Sequence, residues 1–123
     1  MLIVNHQLTR FLIRWAVNGF GLWLAGQLIS EIRIDGKLGT ILIAGLVLSL
    51  VNALIKPLVI ILTLPAVLLS LGLFMIVING FAVWLAGVFY DPLIIDSFGA
   101  AVLAGLIIGL LNYAQSILIE DKR

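Results

Sequence analysis

Asn18-Gly19-Phe20-Gly21-Leu22-Trp23-Leu24-Ala25-Gly26 returns as Asn79-Gly80-Phe81-Ala82-Val83-Trp84-Leu85-Ala86-Gly87, 61 positions further along the chain (79 − 18). The likeness continues beyond both copies. Ile34-Asp35 comes back as Ile95-Asp96 at the same offset. After a one-residue deletion, Gly39, Ala44-Gly45-Leu46, Leu50 and Asn52 come back as Gly99, Ala104-Gly105-Leu106, Leu110 and Asn112. Self-similarity at a fixed period marks a repeated structural unit, here a helix-loop-helix. Both copies are almost wholly apolar, which places the unit in a lipid bilayer.

Composition supports that placement. The 123 residues are 63% hydrophobic and 11% charged, with a mean hydropathy of +1.30. Soluble domains carry about 25% charged residues, and a chain this short leaves too much surface exposed to hide so many apolar side chains from water. A net charge of +1 excludes nucleic-acid binding through bulk charge, which needs clustered Lys and Arg. The absence of cysteine excludes disulfides, thiolate nucleophiles and thiolate metal sites.

The hydropathy pattern predicts an all-α integral membrane protein, one domain of four transmembrane helices in two tandem hairpins. Repeat one covers about 15–57, a linker covers 58–72, and repeat two covers about 73–117. The spans are expected at 15–30, 38–55, 73–90 and 99–117, near the roughly 20 residues that cross a hydrocarbon core of about 30 Å. The first 14 residues read as a partly amphipathic turn or two at headgroup level. Leu24-Ala25-Gly26 resembles a signal-cleavage site, but its recurrence as Leu85-Ala86-Gly87 assigns it to a retained helix. The linker carries Pro57 and Pro65. Proline removes a helical amide donor, so this piece is expected as a short interfacial or re-entrant helix lying against the bundle.

Arg10, Arg14, Lys56, Lys122 and Arg123 fall on one side of this arrangement, and Arg33 and Lys37 on the other. The positive-inside rule then sets both termini in the cytoplasm. Each repeat has two spans, so the copies keep one orientation and are related by an axis along the membrane normal.

Asn52-Ala53-Leu54-Ile55-Lys56-Pro57, Leu62-Thr63-Leu64-Pro65, Leu71-Gly72-Leu73-Phe74 and Asn79 resemble the signature of the small four-span bacterial proteins of phage holin family IV. The resemblance covers nearly the whole chain. It implies a bacterial inner-membrane protein of four spans, self-associating and affecting membrane permeability. It also leaves open a non-conducting scaffold or accessory subunit, with a membrane protein partner or a role in envelope stress.

Four amides carry most of the remaining information. Asn18 lies four residues past Arg14, and Asn52 four before Lys56, so in an antiparallel hairpin the two share a depth. Asn79 and Asn112 repeat the arrangement. A carboxamide without a partner in hydrocarbon costs several kcal/mol on the stricter scales. The plain reading is interhelical glue at about 1 kcal/mol each. The sharper one is a polar path or ion site, as a small transporter would use. Gly45, Ser49, Asn52 and Lys56 share one helix face, as do Ala101, Gly105, Gly109, Asn112 and Ser116. Small residues at that spacing let backbones approach closely, within the chain by default and between copies as the alternative.

Arg10, Arg14 and Lys56 read as snorkelled interface anchors, or as partners for lipid phosphate. Asp35 and Asp96 read as helix-start caps. Trp15 fits an interfacial anchor, and Trp23 and Trp84 fit packing roles. His6 stands alone and makes no metal site. No catalytic constellation, cofactor motif or metal-ligand spacing is present in the sequence, and no enzyme activity is expected.

Overall fold

The computed structural model describes residues 2–120, with side chains described over 6–118. Lys122 and Arg123, used in the orientation count, lie outside the described residues. α1 (Leu2–Leu28) is one helix of 27 residues, about 40 Å long at 1.5 Å per residue. The expected headgroup turns and first span are thus a single unbroken element, because no proline and no run of turn formers separates them. α2 (Leu38–Leu54) follows, then α3 (Lys56–Leu62) and α4 (Leu64–Leu69). α5 (Phe74–Phe89) and α6 (Phe98–Glu120) complete the helices. Two helical runs, Leu38–Leu62 and Phe98–Leu118, are long and apolar enough to cross a membrane, and α5 is a shorter apolar helix.

The linker differs from the expected single helix. Ile55 stays in the right-handed helical region, with φ −98° and ψ −41°. Its N–H donates to the Val51 carbonyl at 2.9 Å, and Val59 N–H donates to the Ile55 carbonyl at 3.1 Å. The helical course therefore survives Pro57, which sits in the first turn of α3 where its missing N–H matters least. The break comes later, at Thr63, with φ −106° and ψ 13°. Pro65 opens α4 in the same way. α4 ends in a Schellman-type turn: Gly72 N–H reaches the Val67 carbonyl and Leu71 N–H the Leu68 carbonyl. Leu71 takes the left-handed position at φ 58°, followed by Gly72 at φ 90°. α3 and α4 touch only each other, α2 and α5, and none of their residues is buried.

The four longer helices form a closed ring in which α1 packs on α2, α2 on α5, α5 on α6, and α6 on α1. The closest approaches fall on glycines. A Cβ on Gly45 of α2 would lie 2.8 Å from Gly19 Cα of α1. A Cβ on Gly105 of α6 would lie 2.7 Å from Gly80 N of α5. These contacts occupy matched positions of the two sequence copies, as do the ring pairs Phe20–Trp23 and Phe81–Trp84, with centroids 6.0 and 6.1 Å apart.

At one end the α1–α2 and α5–α6 loops pair as a two-residue antiparallel ribbon, β1 (Ile32–Arg33) with β2 (Ile94–Ile95). Ile32 and Leu93 are buried there and close that end of the core. Arg33 Nη2 donates to Asp96 Oδ1 at 2.8 Å, so Asp96 is not the cap of α6. Ser97 takes that place, its Oγ accepting from Ala100 N–H. Asp35 accepts from Lys37 N–H just ahead of α2. Trp15 is tied to α2, its indole N–H donating to the Leu42 carbonyl at 2.7 Å.

Candidate functional site

The ring encloses a cavity of about 340 Å³ that is open at the end away from the ribbon. It is built in layers, one helical turn apart. Asn18, Asn52, Asn79 and Asn112 all line it, one from each helix of the ring. One turn toward the rim come Arg14, Lys56 and Ser116. One turn deeper stand Leu22, Leu48, Val83 and Ile108, buried members of the hydrophobic core. This stacking follows from the i, i+4 neighbourhood on a helix surface repeated on four helices.

Inside the amide layer the hydrogen bonds are unequal. Asn18, only 2% exposed, donates through Nδ2 to Ser49 Oγ at 2.9 Å. The Ser49 hydroxyl in turn donates a hydrogen bond to the Gly45 carbonyl at 2.8 Å. Asn112 Nδ2 donates to Asn18 Oδ1 at 2.9 Å and to the Ile108 carbonyl at 3.2 Å. Asn112 Oδ1, though buried, accepts from no described group. Asn52 and Asn79 line the same cavity and make no hydrogen bond to any other described side chain. The partner of Asn79 is missing for a reason visible in the repeat. Its counterpart Asn18 faces Ser49, whereas Asn79 faces Gly109, where an added Cβ would lie 3.1 Å from Asn79 Nδ2.

The sequence placed these amides at shared depth, and the structure brings all four together. Asn18 and Asn52 share the cavity, but the bonds of Asn18 run to Ser49 and, across the ring, to Asn112. Ser49, Gly105 and Gly109 also line the cavity. Gly45 does not; it serves the α1–α2 contact. Arg14 and Lys56 stand on the rim, whereas Arg10, one turn earlier on α1, is exposed and outside the lining. Sequence reasoning missed the apolar layer as a unit. The signal was present: Leu22 with Val83, and Leu48 with Ile108, are matched repeat positions four residues from each asparagine.

Among the described residues no group of His, Asp or Glu could hold a metal ion. The described acidic side chains Glu31, Asp35, Asp91 and Asp96 all lie in the loops at the ribbon end. The cavity is thus lined by amides, hydroxyls, apolar groups and two cations. That arrangement suits binding or passage of a polar group; it offers no nucleophile–base pair for bond-breaking chemistry.

Comparisons with known proteins agree with the membrane reading. The chain is 39% identical over 106 residues to "Uncharacterized membrane protein YvlD" of Bacillus subtilis, covering 82% of this chain and 88% of that protein. It is 34% identical over 120 residues to "Uncharacterized protein SCO3922" of Streptomyces coelicolor, covering 90% and 96% respectively. No solved structure matches the chain. The family described as "Mycobacterial 4 TMS phage holin, superfamily IV" matches residues 9–114. The signature around Asn52–Pro57, Leu62–Pro65 and Leu71–Asn79 falls inside that match, and this bacterial membrane protein belongs to phage holin superfamily IV.

Proposed function

We propose that the chain is a four-span inner-membrane protein, built by duplication of one hairpin, whose working part is the amide-lined cavity inside a single copy. α1, α2 continued by α3, α5 and α6 are the spans, both termini face the cytoplasm, and the cavity opens to that side. A small polar solute enters past Arg14 and Lys56, meets the four amides, and is held back by the apolar layer of Leu22, Leu48, Val83 and Ile108. Hydrophobic constrictions of this kind gate by excluding water. Sites between structural repeats near the bilayer midplane are where transporters place their substrates.

One observation carries this reading: the four asparagines of the ring helices, with Ser49 and Ser116, converge inside the ring. A wide pore assembled from several copies needs a polar stripe on the outside of each. The outward positions are instead apolar, including Leu12, Leu50, Leu103 and Leu110. Gly45 and Gly105, the small residues suited to self-association, are already used between helices of the same chain. Any effect on membrane permeability then runs through the cavity of each copy. The closed apolar layer also favours a second reading, a non-conducting accessory subunit.

Proteoliposomes reconstituted at falling protein density test the first reading. Solute flux that scales linearly with copy number and vanishes in folded Asn79→Leu supports it. Flux that rises with a steep power of protein density sinks it in favour of a multi-chain pore. Absence of flux with intact folding leaves the accessory-subunit reading.

A further inference from the structure

We propose that the cavity binds a phosphate-bearing anion, taken either as a lipid headgroup or as a free phosphate ester. The inference rests on the cavity being the working site and names the chemistry of what it receives.

Charge is the first argument. Arg14 and Lys56, on two different helices, both reach the rim of one cavity, and among the described residues no carboxylate lines it. The described acidic groups are at the opposite end of the molecule. Two like charges converging at the edge of a low-dielectric bundle repel one another, and an anion between them turns that repulsion into attraction. Had the two been only snorkelled anchors, nothing would require their convergence on a polar recess.

The amides are the second argument. Each carboxamide carries two N–H donors, and Asn52 and Asn79 keep theirs directed to no other described side chain. Gly109 preserves the space beside Asn79 Nδ2 that a serine at the matched position fills beside Asn18. Charged donors at the rim with neutral donors below suit a tetrahedral oxyanion, whose oxygens accept from Arg, Lys and Asn alike. The orphan acceptor Asn112 Oδ1 adds a requirement for a donor, which a hydroxyl on the ester or its bound water supplies.

Size and surroundings are the third. At about 340 Å³ the recess exceeds a bare phosphate, since water occupies about 30 Å³ per molecule in the liquid, and leaves room for a glycerol-sized substituent. Lys56 opens α3, whose Leu58, Ile61 and Leu62 are exposed and apolar. An acyl chain attached to a phosphate at Lys56 would find that surface alongside.

The test uses the full chain purified in mild detergent, with binding read by native mass spectrometry. Short-chain phosphatidic acid, glycerol 3-phosphate, phosphatidylcholine and the neutral solute glycerol are the probes. Saturable binding of phosphatidic acid is expected, weakened roughly ten- to a hundred-fold in Lys56→Gln and in Arg14→Gln, the range a charge-assisted hydrogen bond implies. Arg33→Gln, at the ribbon end, is expected to bind as wild type. Gly109→Ser keeps both cations and fills the space at Asn79, so it should weaken binding while the thermal transition confirms folding. Competition by glycerol 3-phosphate identifies the free ester as a ligand, and its failure to compete identifies the lipid; either supports the inference. Phosphatidic acid binding that survives the Lys56→Gln, Arg14→Gln double change overturns it, as does equal retention of phosphatidylcholine. Glycerol bound without any phosphate ester overturns the anion inference and spares the cavity reading. No probe bound by folded protein overturns both.

Discussion

Gly45→Ala and Gly105→Ala test whether the small-residue faces are spent inside one copy. In the structure a methyl on Gly45 would sit 2.8 Å from both Cα and N of Gly19, and 3.1 Å from the Trp15 carbonyl oxygen. A methyl on Gly105 would sit 2.7 Å from Gly80 N and 2.9 Å from the Asn79 carbonyl oxygen. Non-bonded carbon pairs are at rest near 3.5–4.0 Å, so each helix pair must part by roughly 1 Å. The obstacle is backbone in both cases, so no side-chain rotation relieves it. Overpacking of this kind costs typically about 1–3 kcal/mol, and parting α5 from α6 also moves Asn79. Gly39→Ala and Gly99→Ala are the controls, because no atom of another element lies near their added methyls. Unfolding in detergent, followed by helical circular dichroism against rising dodecyl sulfate, should show the first pair destabilised by that amount and the controls within about 0.5 kcal/mol of wild type. Unchanged unfolding of Gly45→Ala and Gly105→Ala, with a loss of dimer on sizing columns, would refute the reasoning. The faces would then be meeting a second copy.

Ser49→Ala removes the hydroxyl acceptor of buried Asn18 and should cost about 0.6 kcal/mol, and no more than about 1.7, the range of polar contacts inside membranes; the same unfolding curve reads it. Leu71→Gly relieves a branched side chain held at φ 58° and should stabilise by about 1 kcal/mol, seen as a later unfolding midpoint. Arg33→Gln breaks an ion pair whose partners are 60% and 42% exposed, so stability should change by less than about 1 kcal/mol and only at low salt. Val83→Thr keeps the volume of the apolar layer but adds a hydroxyl, at a stability cost of about 1–3 kcal/mol. Solute leak into proteoliposomes should rise if that layer is the barrier, and a leak no greater than wild type would place the barrier elsewhere.

Much of this was legible in the residues, and the illegible parts share a cause. The helices follow from long apolar runs bounded by Glu31–Lys37 and Asp91–Ser97, and the amide layer follows from the four-residue spacing of Asn18 from Arg14 and of Asn52 from Lys56. What escaped was whatever depends on how the two hairpins meet. Asn18 needed a partner, and depth alone pointed to Asn52. The ring closes α1 on α6, however, so Asn112 arrives instead. Asp96 looked like a cap because Asp35 precedes a helix too. Its carboxylate is drawn to Arg33 in the other hairpin's loop, and neighbouring Ser97 takes over the free amide. In the sequence the linker is set apart by its prolines and by the repeat, which ends at Ser116 where Lys56 aligns. Pro57 occupies a first helical turn where it breaks nothing, and the break falls at Thr63 instead.

On the proposed reading, the departures from symmetry between the two sequence copies say more about the cavity than the symmetry does. Matching the copies position by position sets Arg14 against Met75, Lys56 against Ser116, and Ser49 against Gly109. Packing alone explains why the apolar layer and the glycine contacts are kept in both halves, since each half must close on the same ring. It gives no reason for both described cations at the rim to come from one half, or for the other half to give up the hydroxyl that quiets its asparagine. A cavity meant only to be filled would carry matched partners on both sides. One with both described cations on one wall and unanswered amides on each is polarised in charge, and on the proposed reading such a recess fits a ligand with a charged end and a neutral end.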